Sequence, residues 1–478
     1  MKHLFFLVTL VSASVLMAQN PVTRDYSFVN PVITTTFTAD PAPFVHDGVF
    51  YLLTGEDLYW ATNAFRMTDW KVYSTTDMVN WTDHGSVLTV QCFTWTRQEW
   101  DANASHIVYN PHDGKFYFAA SVHFSYPGRT GIAIGIAVSD SPTGPFVDAI
   151  GGPLVTNEMT SSYTLPYGAD HPWDDLDPHI FVADCGQVYL WWGNMALYWA
   201  TMSNDMRSLT SPIHSVDISD RDVFVGRFIE APWIEKRGDI YYLFYAAEHA
   251  QNLDYLTGPS PTGPWTYGGR IVGNMGTSTN HPGVGHFKDH SFIFGHFPGL
   301  PGGGEHHRSV AMFRIEYNED GSIPYVGTST LHTGGGVTQL QWFDPFRVVP
   351  AATMATSFPL LGVRTSRFKV DGIVSLTNIR NGYWVKVAGV DFGDAGASRF
   401  SALVSSATAG GILDLRIGSP HGTLIGTMSI PPTGGFDNWN MLTIDVGDAI
   451  GVQDLFLVFR GAPDTELFHL GTWQFFKQ

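Results

Sequence analysis

The chain has 478 residues, more than one ordinary core holds, and points to two domains or to a large domain with a smaller companion. Its 26 Lys and Arg against 44 Asp and Glu leave a formal charge of −18 with no basic tract to relieve it, which excludes the phosphate-neutralising surface of a nucleic-acid binder. Glycine (50), proline (28), tryptophan (15) and tyrosine (19) abound without long charged helical runs, so short strands joined by tight turns, an all-β protein, are expected.

The first residues, "MKHLFFLVTLVSASVLMAQN", give a basic start, an apolar stretch and a small residue at Ala18. They read as a secretory signal over residues 1–18, and a secreted or periplasmic location follows. No later segment approaches the roughly 20 uninterrupted apolar residues of a membrane helix, so the mature chain is expected to be soluble. Cys92 and Cys185 fall in different repeats and are read as packing residues rather than a disulfide framework.

From Asp40 the chain begins to repeat itself. "DPAPFVHDGVFYLL" is matched by "DPHIFVADCGQVYLWWG" from Asp177 and "EAPWIEKRGDIYYLFYAA" from Glu230, and more loosely by "NASHIVYNPHDGKFYFAA" from Asn103 and "HPGVGHFKDHSFIFGHF" from His281. Each copy has a polar opening residue, a short apolar run, a turn and an aromatic-rich strand, which predicts five hairpins. Segments such as "IAIGIAVSDSPTGPFVD" and "LDYLTGPSPTGPWTYGG" supply third and fourth strands, and "SPTGPF" and "SPTGPW" read as one outer-edge turn used twice. Units spaced about 50 to 75 residues apart fit a five-bladed β-propeller over residues 30–325, with about four strands per blade. The first strand of each blade lines a propeller's axis, so Asp40, Asp177 and Glu230 are expected at one mouth. Three carboxylates held together repel one another, an arrangement suited to acid–base work or to holding a cation.

In their order, "ADPAPF", "DPHIF", "EAPWI" and "NHPGV" resemble glycoside hydrolase family 43, whose catalytic domain is a five-bladed propeller, from about Pro31 to Pro324. The resemblance implies Asp40 as general base, Glu230 as general acid and Asp177 as the aspartate that orients the acid and raises its pKa. It places Arg308 at the sugar site and His281 facing the channel, near which members often hold calcium. Asp170, Asp174 and Asp175 lie close to Asp177 in sequence, but only Asp177 opens a repeat. Inverting hydrolysis independently needs one protonated and one ionised carboxyl, about 6.5 to 9.5 Å apart. Calcium at His281 would draw most of its shell from water. The histidines at 286, 290, 296, 306 and 307 lack zinc-ligand spacing and are read as surface or supporting residues. Trp60, Trp95 and Trp100 are candidates for stacking on sugar, against the alternative of plain packing. Sequons stand at Asn80 and Asn103; the latter opens the second repeat, where "WDANAS" replaces the family's frequent "WAP".

A Gly- and Thr-rich connector, residues 326–347, leads into a second β pattern over 348–478, read as a β-sandwich of jelly-roll type. This part resembles carbohydrate-binding module family 6, which implies a sugar clamp at Trp384, Phe436 and His469. Here His469 replaces the usual asparagine, and "PAATMA" replaces the module's calcium-binding glutamates. The expected activity is a secreted, inverting exo-glycoside hydrolase. It releases terminal α-L-arabinofuranose, β-D-xylose or both from plant hemicellulose, with arabinoxylan side chains favoured. Its rivals are a non-catalytic sugar-binding propeller and a retaining fructan-acting propeller enzyme.

Overall fold

The computed structural model describes residues 29–96, 102–126, 129–160, 173–249 and 251–477; the signal at 1–18 and Trp100 lie outside them. The first repeat folds as the sequence pattern requires. Ala39–His46 and Val49–Gly55 pair antiparallel, joined by Asp47 and Gly48 with φ of 46° and 72°. Those angles make the mirror-image two-residue turn that matches strand twist, for which Asp-Gly is a preferred sequence.

Among the described residues five antiparallel sheets follow along the chain. The first adds Asp69–Thr75 and Trp81–Thr89 to that hairpin. The second opens with Ala102–Asn110, the third with His179–Val182, the fourth with Phe228–Arg237 and the fifth with Gly283–Phe287. Opening strands touch in a cycle, first against second and onward to the fifth, which returns to the first. This ring is propeller-type architecture. The two SPTGP turns have the same geometry: the Gly144 and Gly263 N–H groups each donate over 3.1 Å, to Ser141 and Ser260 carbonyls.

The fifth sheet departs from expectation, having three strands, Gly283–Phe287, His290–Phe297 and Ser309–Ile315. Residues 30–38 occupy its outer edge without forming a strand. The Val32 N–H donates to the Val310 carbonyl, while Asn30 Oδ1 and Thr38 Oγ1 accept from the Met312 and Val310 N–H groups. Side chains thus replace part of a missing ladder, and the chain's start closes the ring on its last sheet.

After the ring, two further sheets form the sandwich. One contains Thr356–Phe358, Trp384–Asp391, Val452–Arg460, Gly411–Ile417 and Thr423–Ile430; the other centres on His469–Lys477, Ala397–Ser406 and Gly435–Asp445. Val385, Leu413, Leu457, Phe400 and Trp473 fill the core between them. Free outer edges of sheets invite unwanted pairing, and that of the first sheet is covered: Thr353–Met354 pairs with Trp81–Thr89.

The sandwich is docked through buried polar groups rather than tethered. The Asn80 carboxamide accepts from the Ala388 N–H at 2.7 Å and donates to the Ala388 carbonyl at 2.9 Å and to Asp77 at 2.7 Å. A buried, fully engaged Asn80 cannot serve its sequon as a glycan acceptor. Lys71 donates to Asp83 at 2.7 Å with both side chains buried, and Thr365 of the sandwich completes that pair. Cys92 is half-buried, whereas Cys185 is exposed in a turn of the third sheet and so is not a packing residue. Removing one partner of a buried ion pair leaves an uncompensated charge, at a cost of about 3–5 kcal/mol. Lys71→Met is therefore expected to lower the unfolding free energy by that order in urea titration; an unchanged midpoint would contradict a buried, paired Lys71.

Candidate active site

The opening strands of the first, second and fourth sheets carry bulges at their heads. Pairing registers shift between Ala39 and Ala42, between Ala102 and Ser105, and on both sides of Glu230. A bulge re-aims one side chain out of a strand's alternation. Asp40 and Asp177 hold φ of 54° and 60°, and Ala231, beside Glu230, also holds 60°. Non-glycine residues hold such angles where surrounding structure enforces them, most often at functional sites. In this way Asp40, Asn103, Asp177 and Glu230, from four sheets, come to line one cavity of about 540 Å³ with His281 and Arg308. Asn103 fills in the second sheet the place that carboxylates fill in the first, third and fourth.

Arg308 organises this cavity. Its backbone N–H and Nε donate to Asp57 Oδ2 at 2.8 and 3.0 Å, one terminal nitrogen donates to Asp57 Oδ1 at 2.8 Å, and the other reaches Asp40 Oδ1 at 3.0 Å. All three side chains are buried. Asp57 thus fixes the guanidinium, and the guanidinium fixes Asp40. His296, wholly buried, accepts the Asp40 N–H at Nδ1 over 3.4 Å.

Burial raises the pKa of Asp40, Asp177 and Glu230. Asp40 rises to about 6, from burial first, with Arg308 pulling it down and Asp57 pushing it up. Glu230 rises to about 8, from burial and then the charge of Asp40, while a 2.5 Å hydrogen bond from Asn194 opposes the rise. Asp177 is pushed well above the ordinary carboxylate range by burial, Glu230 and Asp40. The expected rise of Glu230 through Asp177 is not what is found: repulsion between the two raises Asp177, whereas Glu230 is raised by burial and the charge of Asp40. The visible contact of Asp177 is positional: Oδ2 accepts the Ala231 N–H at 3.0 Å, clamping the backbone beside Glu230. At neutral pH Asp40 is ionised and Glu230 holds its proton, which provides one base and one acid in the same cavity.

His281 lies with Nδ1 4.0 Å from Asp40 Oδ1, and burial and Arg308 lower its pKa to about 3, so it is neutral. Calcium takes about six to eight oxygen ligands. Beside His281 stand one carboxylate already engaged by Arg308 and the repelling guanidinium itself. Among the described residues no group of three or more His, Cys, Asp or Glu is arranged to hold a metal. The side chains present do not build a calcium site.

Other expected residues divide. Trp60 is 51% exposed and lies outside the cavity lining, which takes Phe65 and Trp173 instead. Trp95 is buried, packed on Phe93, with its indole N–H on Asp148. In the sandwich Trp384 does not join the other two clamp residues. Its neighbour Val385 points into the core, so alternation turns Trp384 outward, where it stacks on Phe358 at 5.5 Å. Phe436 and His469 belong to the opposite sheet and stack on each other at 4.1 Å. Asp57, Asn194 and Phe65 escaped sequence reasoning, and His296, read among the surface or supporting histidines, is a buried support of Asp40. Only Asp57 had a signal: a buried arginine needs more than one acceptor, and "GED" ends the second strand.

Known proteins give the same arrangement. The profile of glycosyl hydrolases family 43 matches residues 28–323, and that of carbohydrate binding module family 6 matches 362–477. The chain is 30% identical over 509 residues to an arabinoxylan arabinofuranohydrolase of Paenibacillus polymyxa, covering 96% of this chain and 76% of that protein. It is 30% identical over 500 residues to an arabinoxylan arabinofuranohydrolase of Bacillus subtilis (strain 168), covering 93% and 92%. The crystal structure of a family 43 arabinoxylan arabinofuranohydrolase from Bacillus subtilis, in complex with cellotetraose, superposes with a TM-score of 0.78 at 28% identity over 94% of this chain and 97% of that one. A β-xylosidase/α-arabinofuranosidase from a compost microbial metagenome, in complex with xylotriose and in a calcium-free form, gives a TM-score of 0.55 at 27% identity over 63% and 98%. The chain belongs to glycosyl hydrolases family 43, its hydrolase segment followed by a family 6 carbohydrate binding module.

Proposed function

We propose that this chain is an inverting exo-glycoside hydrolase that releases terminal pentose from arabinoxylan-type hemicellulose, with α-L-arabinofuranose preferred to β-D-xylose. Its hydrolase unit is a five-bladed propeller over residues 30–325, joined through 326–347 to the sandwich at 348–478. The leader through Ala18 would export it to a secreted or periplasmic location, where polymer lies. One observation carries the assignment: Asp40 and Glu230 share a cavity, yet their pKa values are driven apart, to about 6 and about 8.

Asp40, ionised and oriented by Arg308, takes a proton from water as that water attacks the anomeric carbon. Glu230 donates its proton to the departing glycosidic oxygen. Asp177 holds the strand that carries Glu230, and Asn194 fixes the Glu230 carboxyl through Oε2. Calcium near His281 would have to take nearly its whole shell from water. The preference for arabinofuranose is supported by the names of the two relatives that match nearly the whole chain. Sugar binding by the sandwich rests on Phe436, His469 and neighbouring Trp439, since Trp384 faces away. A non-catalytic sugar binder would gain nothing from two buried carboxyls poised on either side of neutrality.

The pH dependence follows with its sign. Activity requires ionised Asp40, so kcat/KM falls as pH drops through about 6, and it requires protonated Glu230, so kcat/KM falls again as pH rises through about 8. A bell centred near neutrality is expected on nitrophenyl arabinofuranoside, and a profile flat from pH 5 to 9 would contradict the roles. Substitution separates the two groups further. Glu230→Ala should lose on the order of a hundredfold or more on arabinoxylan but far less on a dinitrophenyl glycoside, whose leaving group needs no proton. Asp40→Ala should be crippled on both, with partial recovery in azide. Equal impairment of a folded Glu230→Ala on both substrates would refute the acid assignment.

A further inference from the structure

The loop between the second and third strands of the first sheet has two faces. Asn63–Met67 wall the catalytic cavity, while Tyr59 and Trp60, at its tip, are 67% and 51% exposed outside it. The loop is ordered by its own bonds: the Leu58 N–H donates to the Arg66 carbonyl at 3.0 Å, and the Ala61 N–H to the Leu58 carbonyl at 2.9 Å. Three arginines hold it. At its start Asp57 grips Arg308, whose guanidinium also lies 5.1 Å from the Phe65 ring. At its end Thr68 and Asp69 accept from Arg367 of the sandwich, and at its tip Arg364 of the sandwich lies 5.6 Å over the Tyr59 ring.

We propose that Tyr59 and Trp60 form a stacking platform for the main chain of the pentose polysaccharide, beside the cavity that takes the terminal sugar and steadied by the sandwich. Two adjacent large aromatics on an ordered turn cost exposed apolar surface, which marks a contact site rather than packing. Continuity with the cavity names the occupant. The same loop walls the pocket, so the polymer chain bearing a sugar in that pocket must leave across its rim. The C–H faces of a β-linked pentose chain match the flat faces of aromatic rings, and phenol and indole tips can hydrogen-bond its hydroxyls. Arg364 covers one face of Tyr59 and fixes its angle, which lowers the entropy lost when a chain settles on it. The inference rests on the proposed activity for the identity of the polymer. It adds the place where the part of the polymer that is not cleaved is held.

The double variant Tyr59→Ala/Trp60→Ala, in the full chain, tests it through two readouts. Native gels containing arabinoxylan read binding without turnover: the unaltered chain should be retarded and the double variant should run clearly ahead, with equal migration in gels lacking polysaccharide. Kinetically, kcat/KM on arabinoxylan should fall about tenfold more than kcat/KM on nitrophenyl arabinofuranoside. Unchanged retardation together with an unchanged ratio of the two kcat/KM values overturns the platform. Loss of both activities in parallel also overturns it, because it makes the tip part of the cavity wall. Failure of the unaltered chain to hydrolyse any nitrophenyl pentoside would instead sink the proposed activity, and the gel would still decide the platform. Arg364→Ala, which removes only the steadying contact, should lie between the unaltered chain and the double variant in both readouts.

Discussion

Four buried carboxyl groups, Asp40, Asp57, Asp177 and Glu230, share one buried guanidinium, and the chemistry of the site grows from that imbalance. Arg308 can neutralise Asp57 and Asp40, both of which it touches. Its charge also opposes the rise at Asp177 and Glu230, but its guanidinium donates to neither, and burial and repulsion between the carboxyls raise both. In the proposed mechanism acid and base are assigned by position relative to one arginine, although Asp40 and Glu230 both arise from the heads of equivalent strands. Such a cluster works against stability, since buried charges are costly unless paired. Its persistence is explained by what it does.

The fold supplies this cluster through a repeated irregularity. Asp40, Asp177 and Glu230 each stand at a bulge or at a left-handed turn of the backbone where an opening strand begins, closure of the sheets into a ring brings those heads together, and Asp57 joins them from just beyond the end of the second strand. The ring in turn depends on contacts from the segments that precede and follow it. Residues 30–38 close the last sheet, and Thr353–Met354 covers the outer edge of the first. A core of Val32, Phe50, Trp81, Phe292, Val337 and Ala388 runs from the ring through the connector into the sandwich. The two units share a core at that face, and the cavity's wall is tied to the sandwich through Thr68 and Asp69, which accept from Arg367.

The local pattern of the chain revealed much of this. Asp40, Asp177 and Glu230 were legible because the hairpin repeats, and a repeat assigns equivalent places to residues far apart in sequence. Asp57, Asn194 and His296 were not, because their roles exist only once distant sheets meet: His296 follows Asp40 by 256 positions and touches its backbone. The fifth sheet was expected to match the others. Its missing strand is replaced by a segment whose Asn30 and Thr38 side chains mimic a ladder, a substitution that no strand pattern announces. Trp384 shows the opposite failure. Family likeness grouped it with Phe436 and His469, but strand alternation, readable in "WVKV", already turns it away from the core residue Val385 and out of their sheet's face.

The order of bond making and breaking is the central claim, and the anomeric configuration of the first sugar released tests it most directly. Asp40 acting through water from the face opposite the leaving group must invert that centre, whereas Asp40 acting as a nucleophile would retain it through two displacements. Proton spectra recorded in the first minutes of hydrolysis of an α-L-arabinofuranoside, before mutarotation, should show β-L-arabinofuranose appearing first. The α anomer appearing first would contradict the account.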